Sequence, residues 1–228
     1  MKKLNVLFED NQIIVVEKPV NIPSQGDKTG DIDMLTLVKD YIREKYNKPG
    51  EVYLGLVHRL DRPVGGVMVF ARNSKSAGRL SEQVRIKEFK KNYLVIVDGK
   101  MEEEKGTLED YLLKNERLNI SKVVPEGTKN AKLAKLDYEV LKYDKEINLS
   151  VLKVNLHTGR HHQIRVQFAS KNHSIYGDQK YGTRGRGKQI CLWAYELTIT
   201  HPVKKEKMTF KVLPEKTGSW KILEDVEI

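Results

Sequence analysis

Short apolar runs separated by turn residues are the feature of this sequence that most constrains its fold. The longest of them, residues 13–16 and 65–71, contain the valine and isoleucine that are typical of buried β-strands. Neither run approaches the ~20 consecutive apolar residues that a membrane-spanning helix needs. The sequence therefore predicts a protein built on a β-sheet, without membrane spans.

Strand patterns recur along the rest of the chain. Residues 6–8 and 13–17 flank a turn-like sequence and predict one hairpin. Residues 136–142 and 147–156 predict a second hairpin. Further predicted strands are residues 53–57, 66–71, 92–97, 192–198 and 208–212.

Apolar residues at helical spacing predict three helices, within residues 31–46, 74–86 and 160–170. Asp31 or Asp33 would cap the first helix, and Ser74 the second. Strands and helices together predict an α+β fold, with one domain over residues 1–228 around a central, largely antiparallel mixed sheet. A division into two halves of one sheet is the alternative.

The positive charge of the chain is concentrated in two blocks. In total, 41 Lys and Arg residues against 31 Asp and Glu give a net charge of +10, which indicates a polyanionic partner such as nucleic acid. Residues 58–91 contain nine basic and three acidic residues, and residues 157–189 contain seven basic residues and the single acid Asp178. The blocks would form a phosphate-binding face if they meet in space, and ordinary solvated faces if they do not.

A polar loop between two predicted strands, His58-Arg59-Leu60-Asp61-Arg62-Pro63, carries the first candidate for chemistry. The neighbouring arginines would favour the ionised form of Asp61, which could then act as a nucleophile or a general base. An Arg–Asp pair that only fastens the loop explains the same residues. The local sequence by itself favours this structural interpretation.

The second candidate is the polar run from His157 to Arg165. His157 and His161 lie four residues apart and could be read as a metal site. This block offers few carboxylates, however, and Gly159 interrupts the helix that would align the two histidines. Phosphate contacts or capping bonds suit these residues better.

Other features are less specific. Residues 182–187 are rich in glycine and arginine but match neither the P-loop nor the dinucleotide fingerprint, so we interpret them as a basic loop. Tyr93 lies beside Lys90 and Lys91 and is either a core aromatic or a platform for base stacking. The single cysteine, Cys191, excludes an intramolecular disulfide and fits a reducing compartment, so we expect a cytoplasmic protein.

Four motifs together resemble the RluA-type pseudouridine synthases. They are His58-Arg59-Leu60-Asp61, Lys91-Asn92-Tyr93, Gly159-Arg160-His161-His162-Gln163-Ile164-Arg165, and Gly177-Asp178 with Tyr181-Gly182. Their order and spacing also match, and the likeness begins at Val6 and continues to Pro214. Three positions depart from the family pattern: Val64-Gly65-Gly66 replaces Thr-Ser-Gly, Trp193 stands where histidine is frequent, and Asn21 stands where glycine is usual.

The resemblance implies a pseudouridine-synthase-like domain that isomerises uridine in rRNA or tRNA, without a cofactor or a metal. Asp61 would be the essential carboxylate. Arg165 would pair with Asp61 and fill the space left by an extruded base, and Tyr93 would pack against the uracil. Contacts to RNA are predicted for Arg59, Arg62, Lys91, Arg160, His162, Gln163, Arg184, Arg186 and Lys188.

The same resemblance implies a monomer without the S4-like RNA-binding extension that is frequent in the family, since the likeness starts within the first ten residues. Two other functions are open. A non-catalytic RNA-binding module would keep only the fold, but the chain carries all three predicted catalytic residues. A hydrolase that uses Asp61 on a glycosidic bond would need a second carboxylate nearby.

Overall fold

The computed structural model of the protein describes residues 4–182 and 187–228, and the chain divides into two compact units. The first unit comprises Met1–Lys90 and Ala194–Leu213, and the second comprises Lys91–Trp193 and Pro214–Ile228. Each unit combines antiparallel strands with helical segments, so the predicted α+β class with largely antiparallel pairing is confirmed. That residues 1–228 act as one catalytic domain stays a prediction.

Every segment with a predicted strand or helix contains an element of that type, although only two residues of 53–57 form a strand. In chain order the elements are β1 (Val6–Glu9), β2 (Ile13–Lys18), α1 (Met34–Lys45), β3 (Gly55–Leu56), β4 (Gly65–Ala71), α2 (Ser74–Arg85), β5 (Lys90–Asp98), β6 (Lys105–Asn115), β7 (Ile120–Val124), β8 (Lys132–Asp144), β9 (Leu149–Leu156), α3 (Gln163–Ser170), β10 (Leu192–Thr200) and β11 (Lys207–Lys211), followed by a 3₁₀ helix at Gly218–Leu223.

The core of the first unit is built around β4. Its strands follow the order β1-β2-β4-β10-β11, and β3 also pairs with β4. Every residue of β4 is buried, which explains why this strand reads as an uninterrupted apolar run. On one face, Val67 and Val69 of β4 pack with Ile13 and Val15 of β2 and with Leu80 of α2.

Glycine is required at one position of β4. Gly66 has a φ of 126°, and a Cβ atom at this residue would lie 2.1 Å from the carbonyl oxygen of Ala194 in β10. Both the backbone conformation and the close approach exclude other residues. The strand can pair tightly with β10 only because Gly66 has no side chain.

The helix caps agree with the sequence in one case and correct it in the other. Asp33 caps α1, where its Oδ1 accepts a hydrogen bond from the backbone N–H of Thr36. For α2 the prediction of Ser74 is wrong, because the preceding residue, Asn73, has the extended backbone of a cap and accepts from the N–H of Ser76. Both residue types cap well, so the sequence did not separate them.

The second unit contains a strand order of β5-β9-β8-β6-β7. The sequence pattern predicts neither β6 nor β7, because most of their side chains are exposed or half-buried and charged residues interrupt the apolar alternation. Helix α3 begins at Gln163 rather than at residue 160, since His162 has a left-handed φ of 53°. Ile164, Val166 and Phe168 are buried. No helix in residues 4–182 and 187–228 is long and apolar enough to cross a membrane.

Candidate active site

The loop that carries Asp61 is fixed from within the first unit. The Nζ of Lys18, at the end of β2, donates to the carbonyl oxygens of Pro19 (2.9 Å), Arg62 (3.0 Å) and Val64 (2.7 Å). Two of these carbonyls follow Asp61 closely in the chain. The buried ammonium group therefore holds the Asp61 loop against the end of β2.

A second anchor lies on the other side of Asp61. The hydroxyl of Ser24 donates to the carbonyl of Leu60 (2.7 Å) and accepts from its backbone N–H (3.1 Å). Three residues before Asp61, the Nε2 of His58 accepts a hydrogen bond from the backbone N–H of Val69, and the imidazole ring packs on Phe89. The backbone before and after the carboxylate is thus held by buried bonds, which favours a single placement of the side chain.

Lys18 is unusual in being completely buried. Burial disfavours its charged form and lowers its pKa to about 7, while the negative charge of Asp61 acts in the opposite direction. The pair is therefore electrostatically coupled. A charged lysine at this depth needs acceptors for all its protons, and the three carbonyls supply them.

Arg62 is engaged by a neighbouring segment of the same unit. Its guanidinium forms an ion pair with Asp31, donates to the hydroxyl of Thr29 (3.1 Å) and to the carbonyl of Asn21 (3.3 Å), and lies 3.7 Å from Asp27. The hydrogen bond from Thr29 lowers the pKa of Asp27, so this carboxylate stays ionised at neutral pH. Two carboxylates thus surround the one arginine, and the predicted phosphate contact of Arg62 would compete with them.

In the second unit, Tyr93 is a buried residue of β5, paired with Val154 of β9. Lys91 lies on the same strand and is half-buried, and burial lowers its pKa. A Cβ atom at Gly159 would lie 3.5 Å from the Nζ of Lys91, so the ammonium group faces the turn before α3.

The turn before α3 is closed by Gln163. Its Oε1 accepts from the Thr158 hydroxyl (2.7 Å) and from the Arg160 backbone N–H (3.1 Å), and its Nε2 donates to the carbonyl of Lys135 (3.1 Å). Gln163 and His162 are both buried. The geometry favours a structural role for Gln163, and its contact with RNA stays a prediction.

Arg165 forms a buried ion pair with Asp178. The Nε and Nη2 atoms of Arg165 donate to the two carboxylate oxygens at 2.7 and 2.8 Å, and both side chains are at most 5% exposed. Burial alone would raise the pKa of Asp178, but the hydrogen bonds and charge of Arg165 outweigh it and lower the pKa. The carboxylate therefore stays ionised and holds the guanidinium in one plane.

The histidines of the second unit bind separate partners. The Nε2 of His157 lies 2.6 Å from the carboxylate of Asp137, whereas His161 bonds to Ser121 and Asn119. Within residues 4–182 and 187–228, no three His, Cys, Asp or Glu side chains come together as a metal would require.

The predicted residues are distributed over both units. The first unit holds Arg59, Asp61 and Arg62, and the second holds Tyr93, Lys91, Arg160, His162, Gln163, Arg165 and Lys188. Of these, Arg59, Arg160 and Lys188 are exposed. Arg184 and Arg186 lie outside the described residues.

Sequence reasoning assigned no role to Lys18, Ser24, Asp178 or Tyr181. Asp178 and Tyr181 stand in a motif of the family resemblance, and this position was the available signal. Burial and partners of these side chains depend on residues far away in the chain, which local sequence does not show.

Comparison with known proteins identifies the family. The profile of the RNA pseudouridylate synthases matches residues 12–170, more than half of the chain. The chain belongs to this family. This match confirms the predicted resemblance to the pseudouridine synthases. It also confirms that the activity of the family is that of an isomerase acting on RNA.

Several relatives support the assignment. The chain is 33% identical to an uncharacterized RNA pseudouridine synthase of Aquifex aeolicus, over 92% of this chain and 69% of that protein. It is 30% identical to the dual-specificity RNA pseudouridine synthase RluA of Haemophilus influenzae, over 91% of each. It is 29% identical to the ribosomal large subunit pseudouridine synthase C of the same organism, over 90% of this chain and 63% of that protein. The chain thus spans about two thirds of the length of several of its relatives, from 63% to 69%.

Solved structures agree on the fold. Human RNA pseudouridylate synthase domain containing 4 superposes with a TM-score of 0.78 at 21% identity, over 92% of this chain and 89% of that one. Human RNA pseudouridylate synthase domain containing 1 has a TM-score of 0.76 at 22% identity, over 96% of this chain and 86% of that one. The chain has the pseudouridylate synthase fold.

Proposed function

We propose that this protein isomerises uridine in RNA to pseudouridine, with Asp61 as the essential carboxylate and without a cofactor. The anchoring of the Asp61 loop carries the proposal. Lys18 and Ser24 hold its backbone on both sides of the carboxylate, within the residues that match the family profile. A fixed reacting group is placed before the substrate arrives, which lowers the entropic cost of the reaction.

The chemistry balances without a second substrate. The bond between N1 of uracil and C1′ of ribose breaks, the uracil turns, and C5 bonds to the same C1′. The C5 proton is then lost, and N1 gains a proton. Asp61 serves as the nucleophile. It either adds to the base and is eliminated again after C5 has bonded to C1′, or it bonds to C1′ as the base leaves and is displaced when C5 bonds there.

The other predicted catalytic residues act on the base. A uridine must leave its stack to reach Asp61, which costs a few kcal/mol and least in a loop or an unpaired end. Arg165 fills the space that the base leaves, and its bidentate bond to Asp178 provides the rigidity for that role. Tyr93 packs against the extruded uracil.

The substrate is an rRNA or a tRNA, bound by a monomer in the cytoplasm. A relative named for the ribosomal large subunit supports the first of these RNA classes. The two basic blocks of the chain supply attraction to phosphates, which offsets the cost of base extrusion. Arg59, Arg160 and Lys188 are exposed and therefore available for this contact.

Tritium release from RNA labelled at C5 of uridine tests the proposal. We expect release with the wild type and none above background with Asp61→Asn, while RNA affinity changes by less than about threefold, because the carboxylate does not attract phosphate. Asp40→Asn is the matched control, since Asp40 is an exposed acid of the same unit. Full activity of Asp61→Asn, or equal losses in both variants, would contradict the assignment.

A further inference from the structure

Arg165 is held on two sides within the second unit. Asp178 binds one edge of the guanidinium, and the Cζ of Arg165 lies 5.3 Å from the centre of the Tyr181 ring. A cation over an aromatic face is attracted to the ring, so that the ring selects the tilt of the guanidinium plane. The carboxylate of Asp178 therefore fixes one edge of the guanidinium group, and the ring of Tyr181 fixes the orientation of its flat face.

Tyr181 is itself anchored at its hydroxyl. The hydroxyl oxygen accepts a hydrogen bond from the backbone N–H of Ser121 in β7 (2.7 Å) and lies 2.9 Å from the Nδ1 of His162. The ring also packs edge-on against the imidazole of His162, directly before α3. These bonds fix the ring relative to β7 and to the helix that carries Arg165.

One short turn carries both Asp178 and Tyr181. The Oδ1 of Asp178 accepts from the backbone N–H of Lys180 (2.8 Å) and Tyr181 (3.2 Å), and the carbonyl of Asp178 accepts from the N–H of Gly182. The carboxylate therefore cannot shift without moving the residue whose ring covers the guanidinium.

We infer that Tyr181 is a positioning residue for Arg165. Asp178 already neutralises the charge of Arg165, so the contribution of Tyr181 is orientation rather than charge. The ring orients the guanidinium, and the hydroxyl orients the ring. This inference rests on the proposed function, because the orientation of Arg165 affects the reaction only if Arg165 replaces the extruded base.

Kinetics of two Tyr181 variants test the inference. Tyr181→Phe keeps the ring but loses its hydroxyl bonds, and we expect kcat to fall about tenfold with KM for RNA within about threefold; Tyr181→Leu loses the ring as well, and kcat falls by about a hundredfold. Tyr41→Phe is the matched control, since it removes a part-buried hydroxyl bond, to Glu9, in the first unit. Its kcat stays at the wild-type value.

A purely structural role of Tyr181 gives another pattern. The kcat of Tyr181→Phe, measured well below the melting temperature, would then equal that of Tyr41→Phe, with any difference explained by the fraction of folded protein. That result would overturn the inference.

A second readout does not depend on activity. In ¹⁵N-labelled protein the Nε–H signal of Arg165, identified by its loss in Arg165→Lys, should exchange slowly with solvent because of the buried ion pair. We expect the signal to remain in Tyr181→Phe, and to move and exchange faster in Tyr181→Leu. An unchanged signal in Tyr181→Leu would refute the inference.

If the wild type released no tritium, the proposed function would fail, but this spectrum would still decide whether Tyr181 fixes Arg165.

Discussion

Lys18 shows how one buried side chain couples stability to the candidate site. In the unfolded chain its pKa is 10.5, whereas burial lowers it to about 7 in the folded protein. Between these values the unfolded state binds more protons, so the free energy of unfolding increases with pH across this window. Below pH 7 the cost of burying the charge is fully present.

Urea denaturation of the wild type and Lys18→Met tests this coupling. Between pH 7.5 and 8.5 the unfolding free energy of the wild type should increase relative to the variant by about 1 kcal/mol, because a tenfold change in proton concentration corresponds to ~1.4 kcal/mol for each proton released on folding. The variant provides the baseline for all other titrating groups. Equal pH slopes in the two proteins would show that Lys18 titrates outside this range.

The residues of the candidate site were predictable to different degrees. Asp61 stands in a recognisable motif, and its loop position follows from the strands on either side. The three carbonyl partners of Lys18 come from residues up to 46 positions away, so no local sequence pattern predicts them. The same holds for Tyr181, whose hydroxyl bonds to β7.

At the scale of secondary-structure elements, burial decided what the sequence could predict. The buried strand β4 and the mostly buried strand β5 have strong apolar patterns and were predicted nearly to their ends. The β6 and β7 hairpin was missed because only Leu112 and Ser121 of its side chains are buried, which leaves no clear period of two.

The start of α2 offers an element-scale test. Asn73→Ala removes the hydrogen bond to the N–H of Ser76 and should lower the free energy of unfolding by ~1 kcal/mol. Ser74→Ala is the control, because Ser74 is the first residue inside the helix, and its effect should be within ~0.5 kcal/mol. Thermal or urea denaturation measures both. A larger loss of unfolding free energy in Ser74→Ala than in Asn73→Ala would show that Ser74 is the cap, as the sequence predicts.

For the whole molecule, net charge predicts a strong dependence of RNA affinity on salt. Neutralising Arg184, Arg186 and Lys188 together should reduce the slope of log K against log salt by up to about two units, at ~0.7 per single-strand phosphate contact. The matched control neutralises three exposed lysines outside the two basic blocks, Lys204, Lys205 and Lys207.

The control should leave the salt slope within experimental error of the wild type. Equal reductions in both triple variants would mean that RNA affinity follows overall charge. An unchanged salt slope after neutralising Arg184, Arg186 and Lys188 would place the phosphate contacts elsewhere.

Analysis of the reaction products decides whether this protein forms pseudouridine and whether Asp61 is essential for it. A uridine-containing RNA is incubated with the wild type or with Asp61→Asn, digested to nucleosides, and analysed for pseudouridine, uridine and free uracil. We expect pseudouridine to appear as uridine disappears in equal amount, with no free uracil, and we expect Asp61→Asn to form neither product. Free uracil from the wild type would identify a hydrolase, and pseudouridine formed by Asp61→Asn would contradict the role of Asp61.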